Sequence, residues 1–217
     1  MVNRVIVLGG DNYAAPWRDT YPRADIQVTN GKLGSINLDG VDAIQFTGGS
    51  DVTAWLYGET PQFQSDHQRD LHEVCVHISA IVRNIPCFGI CRGSQFLYVM
   101  CGGKLHQDIP GHAIHGRHKA RINHTIVSGP SEFEVTSTHH QAADATLLAG
   151  TDEVRLLLGG TNDGHNAIEG WMCHALRTYA VQYHPEYMES ESYGFRFYQD
   201  LIRFGCGDVP IMWQFNP

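Results

Sequence analysis

Three short apolar runs, each broken off by glycine, constrain this chain more than any other feature. Residues 4–8 run into Gly9 and Gly10, residues 43–46 into Thr47, Gly48 and Gly49, and residues 85–90 into Cys91, Arg92 and Gly93. Runs this short, apolar throughout and closed by glycine suit parallel strands covered on both faces. Between the second and third, Leu71, Val74, Cys75, Ile78 and Val82 recur at helical spacing, with Ser65 and Gln68 placed as an N-terminal cap. A second helix is expected from about Gly93 to Met100, stopped by Gly102 and Gly103. Strand, helix and strand alternate, which argues for an open parallel sheet wrapped by helices. The second half is richer in strands, expected over residues 121–127, 134–138, 154–158, 167–169 and 179–183. Gly159 and Gly160 are read as a tight turn. A last amphipathic helix over residues 191–204 would align Phe197, Leu201 and Phe204. The fold class is α/β, with a β-rich C-terminal half.

Composition narrows what such a fold can do. The chain has 217 residues, 42% hydrophobic and 18% charged, enough for one domain over residues 1–217 with a sizeable core. Fifteen Lys and Arg face 23 Asp and Glu, for a formal charge of −8. Without a basic run, nucleic acid is not an expected partner. The longest apolar stretches are too short to cross a bilayer, and the N-terminus reads as a first strand rather than an export signal. The six cysteines, at 75, 87, 91, 101, 173 and 206, are scattered and fit reduced thiols in the cytoplasm.

Cys91 carries the chemical signal. It stands in Gly89-Ile-Cys-Arg-Gly93, between a buried-type strand and a helix. Flanking glycines there permit a sharp turn that pushes the central side chain outward. The helix N-terminus favours a thiolate, and the Arg92 N–H follows the nucleophile where an oxyanion would form. A thiolate needs a base, and thirteen histidines compete. His184, in Tyr183-His-Pro-Glu186, has a carboxylate at close spacing. Pro185 favours extended backbone before it, which would put His184 and Glu186 on one side. That yields a Cys91–His184–Glu186 arrangement. Gly49, after the second strand, is the expected second oxyanion donor.

With these residues on the page, the chain resembles the class I glutamine amidotransferase superfamily, and within it the γ-glutamyl hydrolase branch (peptidase C26). The resemblance rests on Gly48-Gly-Ser-Asp-Val52, Leu56-Tyr-Gly-Glu59, Asp66 with Arg69 and Asp70, Gly89-Ile-Cys-Arg-Gly-Ser-Gln95, Gly102-Gly-Lys-Leu-His-Gln-Asp108, Ser137-Thr-His-His-Gln141 and Val181-Gln-Tyr-His-Pro-Glu186. They occur in family order across roughly residues 43–190. The resemblance implies a flavodoxin-like three-layer sandwich with a mostly parallel central sheet. It also implies a cysteine-dependent amidase or hydrolase that cleaves a γ-glutamyl amide through a thioester on Cys91. Gly49 and Arg92 would supply the oxyanion hole, and Gln95, Ser137, His139 and His140 would help hold the glutamyl portion. No cofactor or metal is implied. Thr47 and Ala54 stand where the family often has proline, Trp55 is unusually bulky, and the region before residue 43 is short. These departures bear on the leaving group rather than on the reaction.

Other signals admit plainer readings. His112, His115 and His118, with His106 and His124 nearby, could be read as a metal cluster, but the surrounding glycines suit a solvated loop better. The Arg92 side chain could steer a substrate carboxylate or be tied up in an ion pair. Asp66, Arg69 and Asp70 are expected to serve the start of their helix. Three functions compete: a free-standing hydrolase of a small γ-glutamyl substrate, a glutaminase subunit feeding ammonia to a synthase or amide ligase, and a non-catalytic binding module. A homodimer stays open.

Overall fold

Nine strands form one sheet in the order β2-β1-β3-β4-β11-β10-β9-β6-β7 in this computed structural model, which describes residues 1–29, 36–109, 116–122, 131–145, 154–160 and 167–208. The strands are β1 (Arg4–Leu8), β2 (Asp25–Thr29), β3 (Ala43–Phe46), β4 (Cys87–Ile90), β6 (Gly116–Ile122), β7 (Glu132–Ser137), β9 (Val154–Gly160), β10 (Ile168–Cys173) and β11 (Thr178–Val181). A two-stranded pair, β5 (Leu105–His106) with β8 (Ala142–Ala143), stands apart. From β2 through β11 every pairing is parallel. The order of that block, 2-1-3-4-11, is the flavodoxin-like one, in which ligands collect beyond the carboxyl ends of the strands. The later strands extend the sheet antiparallel. Gly159 and Gly160 belong to β9, pairing with β6 and β10 rather than forming a turn.

The parallel strands are apolar on both faces because helices cover both. Val5, Val7, Phe88, Ile90, Tyr179 and Val181 share one core with Trp17 of α1 (Ala15–Thr20) and Tyr198, Leu201 and Ile202 of α4 (Tyr193–Gly205). Ile6, Leu8, Ile44, Phe46 and Cys87 share the other with α2 (His67–Val82) and α3 (Arg92–Met100). Alternation along each strand sends successive side chains to opposite layers.

Helix α2 departs from the pattern its sequence suggests. Its cap is Asp66, which accepts a hydrogen bond from the Arg69 N–H at 3.0 Å, not Ser65. The apolar stripe turns outward: Leu71 is 55% exposed, Ile78 51% and Val82 78%, and Cys75 is exposed with them. Asp70, Glu73 and His77 are fully buried instead.

Candidate active site

The turn at Cys91 is built by two close approaches. A side chain at Gly89 would meet the Ser94 backbone at 2.8 Å, and one at Gly93 would meet the Phe46 carbonyl oxygen at 2.3 Å. Only glycine lets α3 press directly onto β3 and β4 at these points. Between them Cys91 is held at φ 53 and ψ −114, a backbone conformation costly for a residue with a side chain. Its N–H still donates to the Val181 carbonyl at 3.0 Å, so the elbow is pinned to the next parallel strand. Cys91 is 7% exposed, at the N-terminus of α3.

His184 follows β11 and meets that thiol. Its Nδ1 lies 2.7 Å from Glu186 Oε1, which leaves Nε2 to hydrogen-bond Cys91. Burial opposes protonation of the imidazole, but the Cys91 and Glu186 hydrogen bonds outweigh it and raise the pKa to about 10. Glu186 reaches His184 from a 3-10 turn (Pro185–Tyr187), not by alternation along a strand as the spacing suggested. The Thr136 hydroxyl clamps the His184 backbone, accepting from its N–H at 2.8 Å and donating to its carbonyl at 3.2 Å. Tyr187 stacks on the ring at a centroid distance of 4.9 Å.

The loop after β3 closes the site. Gly49 has φ +150, and a side chain there would strike Arg69 Nη1 at 2.1 Å. Arg69 donates to the Gly48 carbonyl and to the Thr47 carbonyl, each at 3.0 Å. In a trans peptide the C=O and N–H point opposite ways, so anchoring Gly48 C=O turns Gly49 N–H away from the guanidinium. A side chain at Gly48 would lie 3.1 Å from His184 Cε1 and 2.4 Å from the Tyr13 hydroxyl. The loop, the histidine and Tyr13 thus crowd one spot. The Thr47 hydroxyl donates to the Leu8 carbonyl at 2.5 Å.

Beneath the elbow the Arg92 side chain is spoken for. Its guanidinium is buried and bridges Asp70 and Glu73, with its charge also 5.2 Å from the Phe96 ring centre. This resolves the two options for Arg92 in favour of an ion pair, leaving its backbone N–H as the group near chemistry. Glu73 also accepts from Arg69 Nε at 2.8 Å, and Asp70 accepts from the Thr53 N–H at 2.9 Å. Asp70 and Arg69 therefore do more than start a helix: with Glu73 they join the elbow to the Gly48–Gly49 loop.

The expected substrate-holding residues fall into two groups. Gln95 is buried, donating to the Gln141 carbonyl at 2.8 Å and to Gln182 Oε1 at 3.2 Å. Ser137 ends β7 and is buried. His140 faces the loop after β3, with Nε2 3.0 Å from Asp51 and Nδ1 3.5 Å from Asp108. His139 turns the other way, inward, toward His118 and Glu169. Of the proposed histidine cluster, His112, His115 and His124 lie outside the described residues. His106 is 3.6 Å from Asp144, apart from His118.

Tyr13, Thr136, Asp51 and Glu73 were missed in the sequence. Tyr13 had a usable signal, standing just past the first glycine-closed strand. Thr136 and Glu73 reach the site only through pairings across the fold.

The sequence pattern of the peptidase C26 family matches residues 28–186. The chain belongs to that family. Its relatives include a glutamine amidotransferase-like protein of Lactococcus lactis, 33% identical over 67% of this chain and 66% of its own length, so the chain spans just under two thirds of that relative. The γ-glutamyl-γ-aminobutyrate hydrolase of Escherichia coli O157:H7 is 29% identical over 88% of this chain and 78% of its own. A glutamine amidotransferase from Thermotoga maritima shares the fold, with a TM-score of 0.63 at 13% identity over 96% of this chain and 86% of that one. The glutaminase domain of Trypanosoma brucei CTPS does so too, with a TM-score of 0.60 at 16% identity over 98% and 96% of the two chains. Peptidase C26 membership makes the chain one of a family of hydrolases, and the mixed α/β architecture is theirs. No helix among the described residues is long and apolar enough to cross a membrane.

Proposed function

We propose that this protein hydrolyses a γ-glutamyl amide bond, with Cys91 as nucleophile, His184 as proton carrier and Glu186 as its orienting acid. The observation that carries the reading is a single imidazole hydrogen-bonded on one side to a strained elbow cysteine and on the other to a buried carboxylate. With its pKa raised to about 10, His184 is able to hold the proton that Cys91 gives up as it becomes the attacking thiolate. The thiolate attacks the side-chain carbonyl carbon, and the negative charge moves onto oxygen, where the Gly49 and Arg92 N–H groups receive it. Collapse breaks the C–N bond, and the leaving amine takes its proton from the His184 imidazolium. Neutral His184 then removes a proton from water, whose oxygen attacks the thioester and frees glutamate and the thiol.

The glutamyl group, bearing an ammonium and a carboxylate, would lie along the wall formed by Ser137 and His140, supported from inside by Gln95 and His139. Delivery of ammonia to a separate synthase is the second reading, favoured by the exposed aromatics Trp55, Phe63 and Tyr187. In that case glutamine turnover would rise on adding the partner.

Purified protein given a panel of γ-glutamyl amines and glutamine is expected to turn over at least one. Cys91→Ala should abolish it, and His184→Ala should lower kcat by about 10⁴ or more. Glu186→Gln should cost less, since Glu186 orients and does not carry the proton. Turnover surviving in Cys91→Ala would overturn the mechanism.

A further inference from the structure

The two oxyanion donors, Gly49 and Arg92, stand on separate segments of chain. Gly93 presses the elbow onto the end of β3: a side chain there would meet the Phe46 carbonyl oxygen at 2.3 Å and the Thr47 nitrogen at 2.8 Å. The Gly48–Gly49 peptide begins one residue beyond that contact. Side chains are excluded at both its residues, because one at Gly48 would strike the Tyr13 hydroxyl and one at Gly49 would strike Arg69. Glycine on both sides also lets a peptide rotate end for end at little cost. A rotated peptide would offer the Gly48 carbonyl where the Gly49 N–H is required.

One side chain removes this freedom. Arg69, in the first turn of α2, donates from Nη1 to the Gly48 carbonyl at 3.0 Å and from Nη2 to the Thr47 carbonyl at 3.0 Å. Its Nε donates to Glu73 Oε1 at 2.8 Å, so the fork itself is held. With the Gly48 C=O drawn to Arg69, the N–H of the same peptide points the opposite way. Gly48 lies on the His184 side, since a side chain there would begin 3.1 Å from His184 Cε1. A charged donor on the carbonyl also polarises the amide and makes its N–H a stronger donor. The other oxygen of Glu73 receives the guanidinium of Arg92, whose N–H is the second donor. One fully buried carboxylate thus ties together the two segments that must converge on the oxyanion.

We propose that Arg69 is a positioning residue for the reaction. It locks the Gly48–Gly49 peptide with its N–H toward the attacked carbonyl oxygen, so the oxyanion hole stands assembled in the free chain. This role rests on the hydrolase reading for its nucleophile, Cys91, and on no particular substrate. A hole held from within needs no second protein to complete it.

The test compares two reactions of Cys91 in the full chain. With p-nitrophenyl acetate the sulfur attacks the carbonyl carbon, negative charge passes onto oxygen, p-nitrophenolate leaves and the acetyl group stays on sulfur. The burst of p-nitrophenolate, less that of Cys91→Ala, gives the acylation rate. With iodoacetamide the same sulfur displaces iodide at a saturated carbon, and no charge builds on oxygen. Mass spectrometry of the Cys91 peptide follows that reaction. Arg69→Met should slow acylation about tenfold to a hundredfold, the upper figure being the least that outright loss of one oxyanion donor costs, and leave alkylation within about twofold. Arg69→Lys, which keeps the charge but not the fork, should recover part of the loss. Should Arg69→Met not fold, Arg69→Lys carries the same comparison with a smaller loss of acylation. Acylation and alkylation falling together would make Arg69 merely structural, and an unchanged burst would make the peptide self-orienting; either overturns the proposal. A parent without a Cys91-dependent burst overturns it together with the nucleophile. A parent that bursts on the ester yet leaves every γ-glutamyl amine and glutamine intact overturns the substrate assignment alone.

Discussion

The two faces of α2 do not divide by polarity. Outward stand Leu71, Cys75, Ile78 and Val82, an apolar stripe; inward, beside the buried Val76 and Ala80, stand Asp70, Glu73 and His77, each fully buried. An amphipathic helix would ordinarily turn the stripe to the core. What reverses it is Arg92. The elbow at Cys91 starts α3, and the residue after the nucleophile drops its guanidinium into the layer beneath the sheet. A buried cation is tolerable only when paired and hydrogen-bonded. Asp70 and Glu73 meet that need, and Arg69 adds its own charge from the same helix. The ion pairs of Arg92, together with the core contacts of Val76 and Ala80, thus set which way α2 faces.

The largest effect should come from breaking the inward face. Glu73→Ala leaves Arg92 with one of its two carboxylates and frees Arg69 from its nearest acid. A loss of about 3–5 kcal/mol is expected, the cost of stranding a buried charge. The midpoint of urea unfolding would measure it. If Glu73→Ala unfolds no more readily than the parent, the ion network does not hold α2 in place.

That orientation was not legible in the sequence, and the reason is physical. Glycine-closed apolar runs, the Cys91 turn and the His184–Pro185–Glu186 step are local patterns whose geometry follows from a few adjacent residues. All of those runs became strands of the parallel block, and the three residues of the suspected triad do converge. The pairing of Arg92 with acids 19 and 22 positions earlier has no local mark. Neither does the antiparallel order of the later strands, which depends on partners far along the chain. A helical period identifies a helix but does not say which side is inside when ion pairs compete with apolar burial.

His77 extends the comparison to pH. Neither ring nitrogen has a hydrogen-bond partner among the described residues, and its ring stands edge-on to Phe46 and Phe96. Burial alone lowers its pKa from 6.5 to about 4. Above pH 6.5 folded and unfolded chains both hold it neutral, and its contribution is fully present. As pH falls below that, the unfolded chain gains a proton that the folded one refuses, and stability drops until about pH 4. The loss is on the order of 2–3 kcal/mol over that window, and His77→Leu should flatten it. His184 acts in the opposite direction: raised from 6.5 to about 10, its contribution is fully present below pH 6.5 and is lost progressively as pH rises from there to about 10. An acid limb unchanged in His77→Leu would remove His77 as its source.

The smallest effect should come from the outward face. Ile78 looks like a core residue by period, and burial there would make a polar replacement cost several kcal/mol. At 51% exposure it gives up little on substitution, so Ile78→Lys should change stability by no more than about 0.5 kcal/mol. Paired with Glu73→Ala, five residues away on the same helix, this is the sharpest form of the comparison: the charged position should be the sensitive one and the apolar position the tolerant one. A large loss at Ile78 measured at low protein concentration would mean that α2 turns its stripe inward after all. A loss that appears only at high protein concentration and vanishes on dilution would instead reveal that the stripe is covered by a second copy of the chain, because a self-associated face gains its stability from concentration.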